Sequence, residues 1–141
     1  MAHLKYHQKF KRYWRKSGLK YIPKEPGVYC VYTCSYNEKT KRTDIQTLVY
    51  FGGTEDMLER ISRHEKWNEW ENYVKDGYEL CFSYSHVDSK DRERIEAALI
   101  YHHKPPANEE HKKLFPYDTT TLYLEGDIKL LDKSFTVYRT N

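Results

Sequence analysis

The sequence predicts an α+β domain: a small antiparallel β-sheet of three core strands flanked by helices, with an N-terminal basic helix and a C-terminal β-hairpin. Three observations predict it. The runs "VYCVYTCSY", "IQTLVYF" and "YELCFSYSHV" are rich in the Tyr, Val and Thr that suit a pleated, half-buried surface. The stretches between them carry helix start and stop signals. The element order, α, β-β, α, β, α and a final β pair, is that of an α+β domain with an antiparallel sheet.

Taken in order, "LKYHQKFKRYWRKSG" reads as a basic helix closed by Gly18, and Pro23 and Pro26 then break the chain. The first strand has two faces by alternation, Tyr29, Val31 and Thr33 on one and Val28, Cys30, Tyr32 and Cys34 on the other. "NEKTKRTD" is a turn, so this strand and "IQTLVYF" form a hairpin with a long basic tip, ended by Gly52-Gly53. Thr54 offers an N-cap to "EDMLERISRHEKW", whose apolar stripe is Met57, Leu58 and Ile61. Arg60 and His64, four apart, project from one face of that helix. "NEWENYVKDG" is a second helical piece, and the third strand follows. Asp88 or Ser89 caps "KDRERIEAALIYHHK", which Pro105-Pro106 ends, and the tail reads as a hairpin. The division expected is an extension over 1–24, a core over 25–112 and a C-terminal hairpin extension over 113–141.

The 141 residues suit one core, and 16% aromatic content with 14 tyrosines offsets a modest 38% hydrophobic content. No apolar run is long enough to cross a bilayer, and the first residues lack the apolar segment of a signal peptide. Cys30, Cys34 and Cys81 are odd in number and in no CxxC spacing, which predicts reduced, buried thiols in a cytoplasmic protein. The net charge is only +3, but it is unevenly spread: residues 1–24 hold eight Lys and Arg and no acid. Lys9, Arg12, Arg15 and Lys16 here, with Lys39, Lys41 and Arg42 in the hairpin tip, are the candidate nucleic-acid contacts, since aromatics interleave the cations of the first group. The bland reading is a solvated face that packs those aromatics onto the domain. "YHHK" does not suggest a metal site, because adjacent helical histidines point about 100° apart.

"GVY" at 27–29, "YFG" at 50–52, Arg60-x-x-x-His64, Glu96 followed by Leu99-Ile100, and Pro105 with Asn108 together resemble the signature of the GIY-YIG nuclease superfamily. The Arg-x-x-x-His pair and the long basic hairpin tip make the pattern most similar to its restriction-endonuclease-like branch. No single piece is specific; their order over residues 27 to about 110 is. The resemblance implies an endonuclease hydrolysing DNA phosphodiester bonds with a single Mg²⁺ (or Mn²⁺) held by Glu96. It implies catalytic roles for Tyr29, Tyr50, Arg60, His64, Glu96 and Asn108. Arg60 would bind phosphate oxygens through its guanidinium fork, and Asn108 would fix a tyrosine or the phosphate region. Tyr29, Tyr50 and His64 all stay open as the general base. Where many members have a lysine soon after the second motif, Gly53-Thr54 stand here. The partner expected is DNA, with RNA and a homodimer on DNA as further options. The alternative function is a non-catalytic nucleic-acid-binding module with a nuclease-like fold, and a third is a protein-interaction domain.

Overall fold

Side chains of the first segment alternate in and out at every second residue. In the computed structural model, which describes residues 3–140, Leu4–Arg15 is a strand, β1, and Lys16–Tyr21 a 3-10 turn. The expected N-terminal basic helix is thus corrected to a strand; Met1, Ala2 and Asn141 of the expected extensions lie outside the described residues. The reason is legible in the exposure pattern. Lys5, His7, Lys9 and Lys11 face solvent, while Tyr6, Gln8 and Phe10 point toward the sheet. Tyr6 and Phe10 are four apart, a spacing that fits one helical turn and two strand repeats equally well. Tyr13 and Trp14 extend the helix-like stripe. The strand brings them in differently, through a left-handed φ of 54° at Arg12 and a register shift between Lys11 and Trp14.

The other strands are β2 (Gly27–Asn37), β3 (Arg42–Thr54), β4 (Glu79–His86), β5 (Thr120–Gly126) and β6 (Ser134–Val137). They form one six-stranded sheet with β1, in the order β3-β2-β4-β1-β5-β6. The class is α+β as expected, and the three expected strands are the contiguous antiparallel unit β3-β2-β4. The sheet is twice that size because β1 pairs antiparallel with β4 and parallel with β5. The C-terminal hairpin β5-β6 is therefore part of the sheet, and one sheet runs through all three expected segments.

Both faces of the sheet are covered. Val28, Cys30, Tyr32 and Cys34 join Phe51, Ile95, Leu99 and Phe115 in one core, beneath the helix α3 (Ser89–His103). Tyr29 and Val31 join Val49, Met57, Ile61, Trp70 and Phe82 in the other, beneath the 3-10 turn and the short helices α1 (Met57–Ser62) and α2 (Trp67–Glu71). The expected division of β2 into two faces is the division between these cores. The three cysteines are buried free thiols. Among the described residues no helix is long and apolar enough to cross a membrane.

Two helix boundaries differ from expectation. Asp56, not Thr54, caps α1: its Oδ1 accepts the Glu59 N–H at 3.1 Å, while Thr54 Oγ1 accepts the Asp56 N–H at 3.2 Å. Helix α1 also stops at Ser62, so His64 lies beyond it and shares no helical face with Arg60. At the hairpin tip, Asn37 Oδ1 accepts the N–H groups of Lys39 and Thr40, and Lys41 takes a left-handed φ of 60°.

Candidate active site

The last residues of β3, an edge strand, bring the two faces of the sheet together. Tyr29 on β2 sits opposite Gly52, and its ring fills the space that a side chain there would occupy: a Cβ on Gly52 would lie 2.2 Å from the Tyr29 phenol oxygen. One residue on, strand alternation turns to the other face, where a Cβ on Gly53 would lie 2.5 Å from Glu96 Oε1 of α3. Two residues before Gly52, a register shift leaves Val49 without a cross-strand partner, and Tyr50 emerges half-buried with its ring 6.4 Å from that of Tyr29. A bulge of this kind re-aims a side chain next to a site.

The chain after α3 secures this edge. Lys104 ends the helix with a left-handed φ of 48°, Pro105 follows, and Ala107 N–H donates to the free Val49 carbonyl at 3.0 Å. Asn108 then completes the pairing with its side chain. Its Oδ1 accepts the Phe51 N–H and its Nδ2 donates to the Phe51 carbonyl, both at 2.9 Å. With its amide committed to Phe51 and 6% of its surface exposed, Asn108 positions β3 between Tyr50 and Gly52. Of the two expected roles, fixing a tyrosine or the phosphate region, these bonds bear on the first, since β3 carries Tyr50; Asn108 also lines the cleft described next.

Tyr50, Arg60, Lys66, Glu96 and Glu110 line a cleft of about 340 Å³, with Glu65, Ile100, Asn108, Glu109 and His111 completing it. Burial pushes the Glu96 carboxyl up to about 7, reinforced by Glu110 and Glu93 and opposed by Arg92 and Arg60. Burial likewise raises Tyr50 to about 12, with the Glu96 charge adding and the Arg60 charge opposing. Tyr29 is held well above the usual phenol range, first by its burial and then by Tyr50, although Arg60 hydrogen-bonds it and works the other way. Arg60 also donates to Glu65 Oε1 at 3.3 Å.

His64 is 4% exposed, edge-on to Tyr29 and Tyr50 at 6.1 and 5.5 Å between ring centroids. Burial, then the Arg60 charge, lowers it to about 4, so the ring is neutral near pH 7. Its Nδ1 accepts the Lys66 N–H at 3.0 Å, which places the ring proton on Nε2, a buried atom with no hydrogen-bond partner among the described residues. In that tautomer Nδ1 is already occupied as an acceptor and Nε2 carries a proton, so neither nitrogen is free to take one.

Sequence reasoning missed Lys66, Glu110 and Trp70. Lys66 Nζ lies 5.7 Å from the Tyr50 ring centroid, so a lysine does stand beside this tyrosine, supplied from the α1–α2 connection. Trp70 backs both Tyr50 and His64 at 5.2 and 4.4 Å. Only the spacing of Lys66 from His64 hints at it in the sequence.

The candidate nucleic-acid contacts divide into two groups. Lys9, Arg12 and Lys16 are exposed along β1 and the turn after it, and Lys39, Lys41 and Arg42 are exposed at the hairpin tip. Arg15 lies between them, paired with Glu79 at 3.1 Å and laid over the Tyr36 ring at 4.0 Å. The tip is at the opposite end of β2 from Tyr29, eight residues or roughly 26 Å away. A second cluster, His102, His103 and Asp132, is at the far end of α3. There His103 donates from Nδ1 to the Leu99 carbonyl and accepts the Asp132 N–H, and His102 meets the Asp132 carboxylate at 2.6 Å; these bonds tie α3 to the β5–β6 loop.

Compared with protein-family models, curated proteins and solved structures, the chain matches none.

Proposed function

We propose that this chain is a metal-dependent endonuclease that hydrolyses DNA phosphodiester bonds. One observation carries the reading: Tyr50, Arg60 and Glu96, from β3, α1 and α3, line one cleft at a glycine pair, with Tyr29 and His64 behind it. The motif order that resembles the GIY-YIG nucleases places these same residues in catalytic roles.

The donor set fits a hard divalent cation. Glu96 is a carboxylate held in a polar cleft at the cost of its ionised form, and nearby cationic charge favours that form. A single carboxylate with room for water suits Mg²⁺ or Mn²⁺. The ion would supply charge neutralisation at the phosphoryl and leaving-group oxygens. Glu96 is the residue that would hold it.

The other roles follow from exposure and protonation. Arg60, with 37% of its side chain exposed, presents its guanidinium to a phosphate. Tyr50 is the phenol that lines the cleft, so it is the group positioned to take a proton from an attacking water. Neutralising Glu96 removes a cause of its raised pKa, and Arg60 lowers it further. Tyr29, 1% exposed and the harder phenol to ionise, acts by orienting Tyr50 and Arg60. His64 holds its proton on Nε2 and its Nδ1 accepts the Lys66 N–H, so it has no nitrogen free to act as base. These assignments favour Tyr50 among the three candidate bases.

Incubating the protein with supercoiled plasmid and Mg²⁺ tests the reading. The expected result is nicking that chelation abolishes and that Glu96→Gln and Arg60→Ala remove. Intact plasmid, or nicking that survives Glu96→Gln, would sink it.

A further inference from the structure

Outside the cleft, Tyr21 is a large aromatic whose surface is 65% exposed at the end of the 3-10 turn. Burial does not account for its place there. Its ring is stacked on Trp14 at 6.0 Å and 30°, and Trp14 is fixed from behind by the core beneath α1 and α2 and by the backbone of Gly18. Cations flank the pair: Arg12 lies 5.3 Å from the Trp14 ring and Lys20 5.3 Å from the Tyr21 ring. The segment as far as Lys24 contributes no acid to offset them.

The register ties this pair to the cleft. Trp14 on β1 sits opposite Phe82 on β4, Phe82 opposite Val31 on β2, and Val31 opposite Tyr50 on β3. All four pack on the same core, so Trp14 and Tyr50 end one row on one face of the sheet. Three strand spacings of about 4.8 Å separate them, roughly 14 Å measured through the sheet.

We propose that Tyr21, backed by Trp14, is a nucleobase-stacking subsite for an unpaired stretch of the DNA strand that enters the cleft. The identity of the polymer rests on the nuclease reading; the stacking chemistry does not. A rigidly backed, exposed ring between cations has what single-strand binding uses: a π-face for a base and positive charge for the flanking phosphates. A base paired in a duplex has no free face to offer, so the subsite is specific for unpaired nucleotides. Lys20 is exposed, and its cation–π contact is weak at such a site, so it yields the ring face to a base and moves to the adjacent phosphate.

The test measures binding by the full chain without divalent cation, using labelled oligothymidylate and a relaxed, covalently closed duplex circle as probes. Tyr21→Ala is expected to weaken oligothymidylate binding by about tenfold and binding to the circle by less than about twofold, and Tyr21→Phe to bind both as the unaltered chain does. Unchanged oligothymidylate binding in Tyr21→Ala, an equal loss on both probes, or a Tyr21→Phe as weak as Tyr21→Ala overturns the proposal. Because no cleavage is read, failure of the nicking assay leaves this result intact. A neutral Tyr21→Ala in a chain that nicks plasmid defeats the stacking proposal alone.

Discussion

Replacing Asn108 by alanine separates a residue that holds the site from one that performs its chemistry. The Asn108 amide makes two buried hydrogen bonds of 2.9 Å to the two backbone polar groups of Phe51. Alanine leaves a buried N–H and a buried C=O unpaired, and each costs about 1–3 kcal/mol when its partner is removed. Partial entry of water at the edge lowers the sum, to about 2–4 kcal/mol. With a urea slope of about 2 kcal/mol per molar, the middle of the range for small domains, the unfolding midpoint should fall by about 1–2 M. Asn108→Asp keeps the acceptor for the Phe51 N–H but sets a carboxylate oxygen against the Phe51 carbonyl in a buried place, so a loss at least as large as that of alanine is expected. Equilibrium urea unfolding followed by tryptophan fluorescence reads both variants. A midpoint within about 0.2 M of the unaltered chain, in an Asn108→Ala protein that no longer nicks DNA, would refute this reasoning and return Asn108 to the phosphate.

The glycine pair should respond in two different ways. Gly52→Ala drives a methyl group into the Tyr29 phenol and is expected to cost about 1–3 kcal/mol by thermal unfolding. Gly53→Ala meets the movable end of Glu96, so nicking should fall while the melting temperature changes less; equal destabilisation by both refutes the distinction. Glu96 titrates near 7 in the fold against an ordinary 4.5, so between those values the folded chain keeps a proton that the unfolded chain has released, and stability falls as pH rises, by at most about 3 kcal/mol. His64 acts in the opposite sense between about 4 and 6.5, where the unfolded chain binds the extra proton and stability rises with pH. Subtracting the pH profile of Glu96→Gln therefore isolates the carboxyl, and a flat difference would contradict its placement. Finally, Lys39→Ala with Lys41→Ala should flatten the plot of log affinity for DNA against log salt by about two if each meets one phosphate. An unchanged slope takes the hairpin tip out of the DNA-binding surface.

How far the sequence could be read depended on the distance over which each feature is determined. The two faces of β2 follow from local alternation, and Tyr29, Val31 and Val28, Cys30 fall in separate cores as alternation requires. Alternation does not group Tyr50, Arg60 and Glu96; the resemblance did, and the three line one cleft. β1 was misread because its apolar positions satisfy both periods and the choice is made by β4 and β5; His7 pairs with Tyr123, a partner 116 positions away that no local window contains. His64 was misplaced because α1 ends at Ser62, just past its stripe, whereas the helical segment was read on to Trp67. Asn108 carried no sign that it pairs with a backbone, since that role exists only once β3 is an edge with a bulge.

The site needs that edge and both glycines for one geometric reason. Successive residues of a strand face opposite sides of a sheet, so one glycine can open one face only. Gly52 admits the Tyr29 ring from the α1 side, and Gly53 admits the Glu96 carboxylate from the α3 side. Groups that two hydrophobic cores would otherwise keep on opposite faces of the sheet are thereby brought to within one residue of each other along β3. A central strand could not serve, because neighbouring strands would occupy the space where the cleft opens. On an edge the exposed backbone needs another partner, and Ala107 and Asn108 provide it without covering Tyr50. The order of the sequence reflects this construction: the tyrosines come from a hairpin, the arginine from the helix just after the glycines, and the carboxylate and edge-closing asparagine from one helix and the turn that follows it.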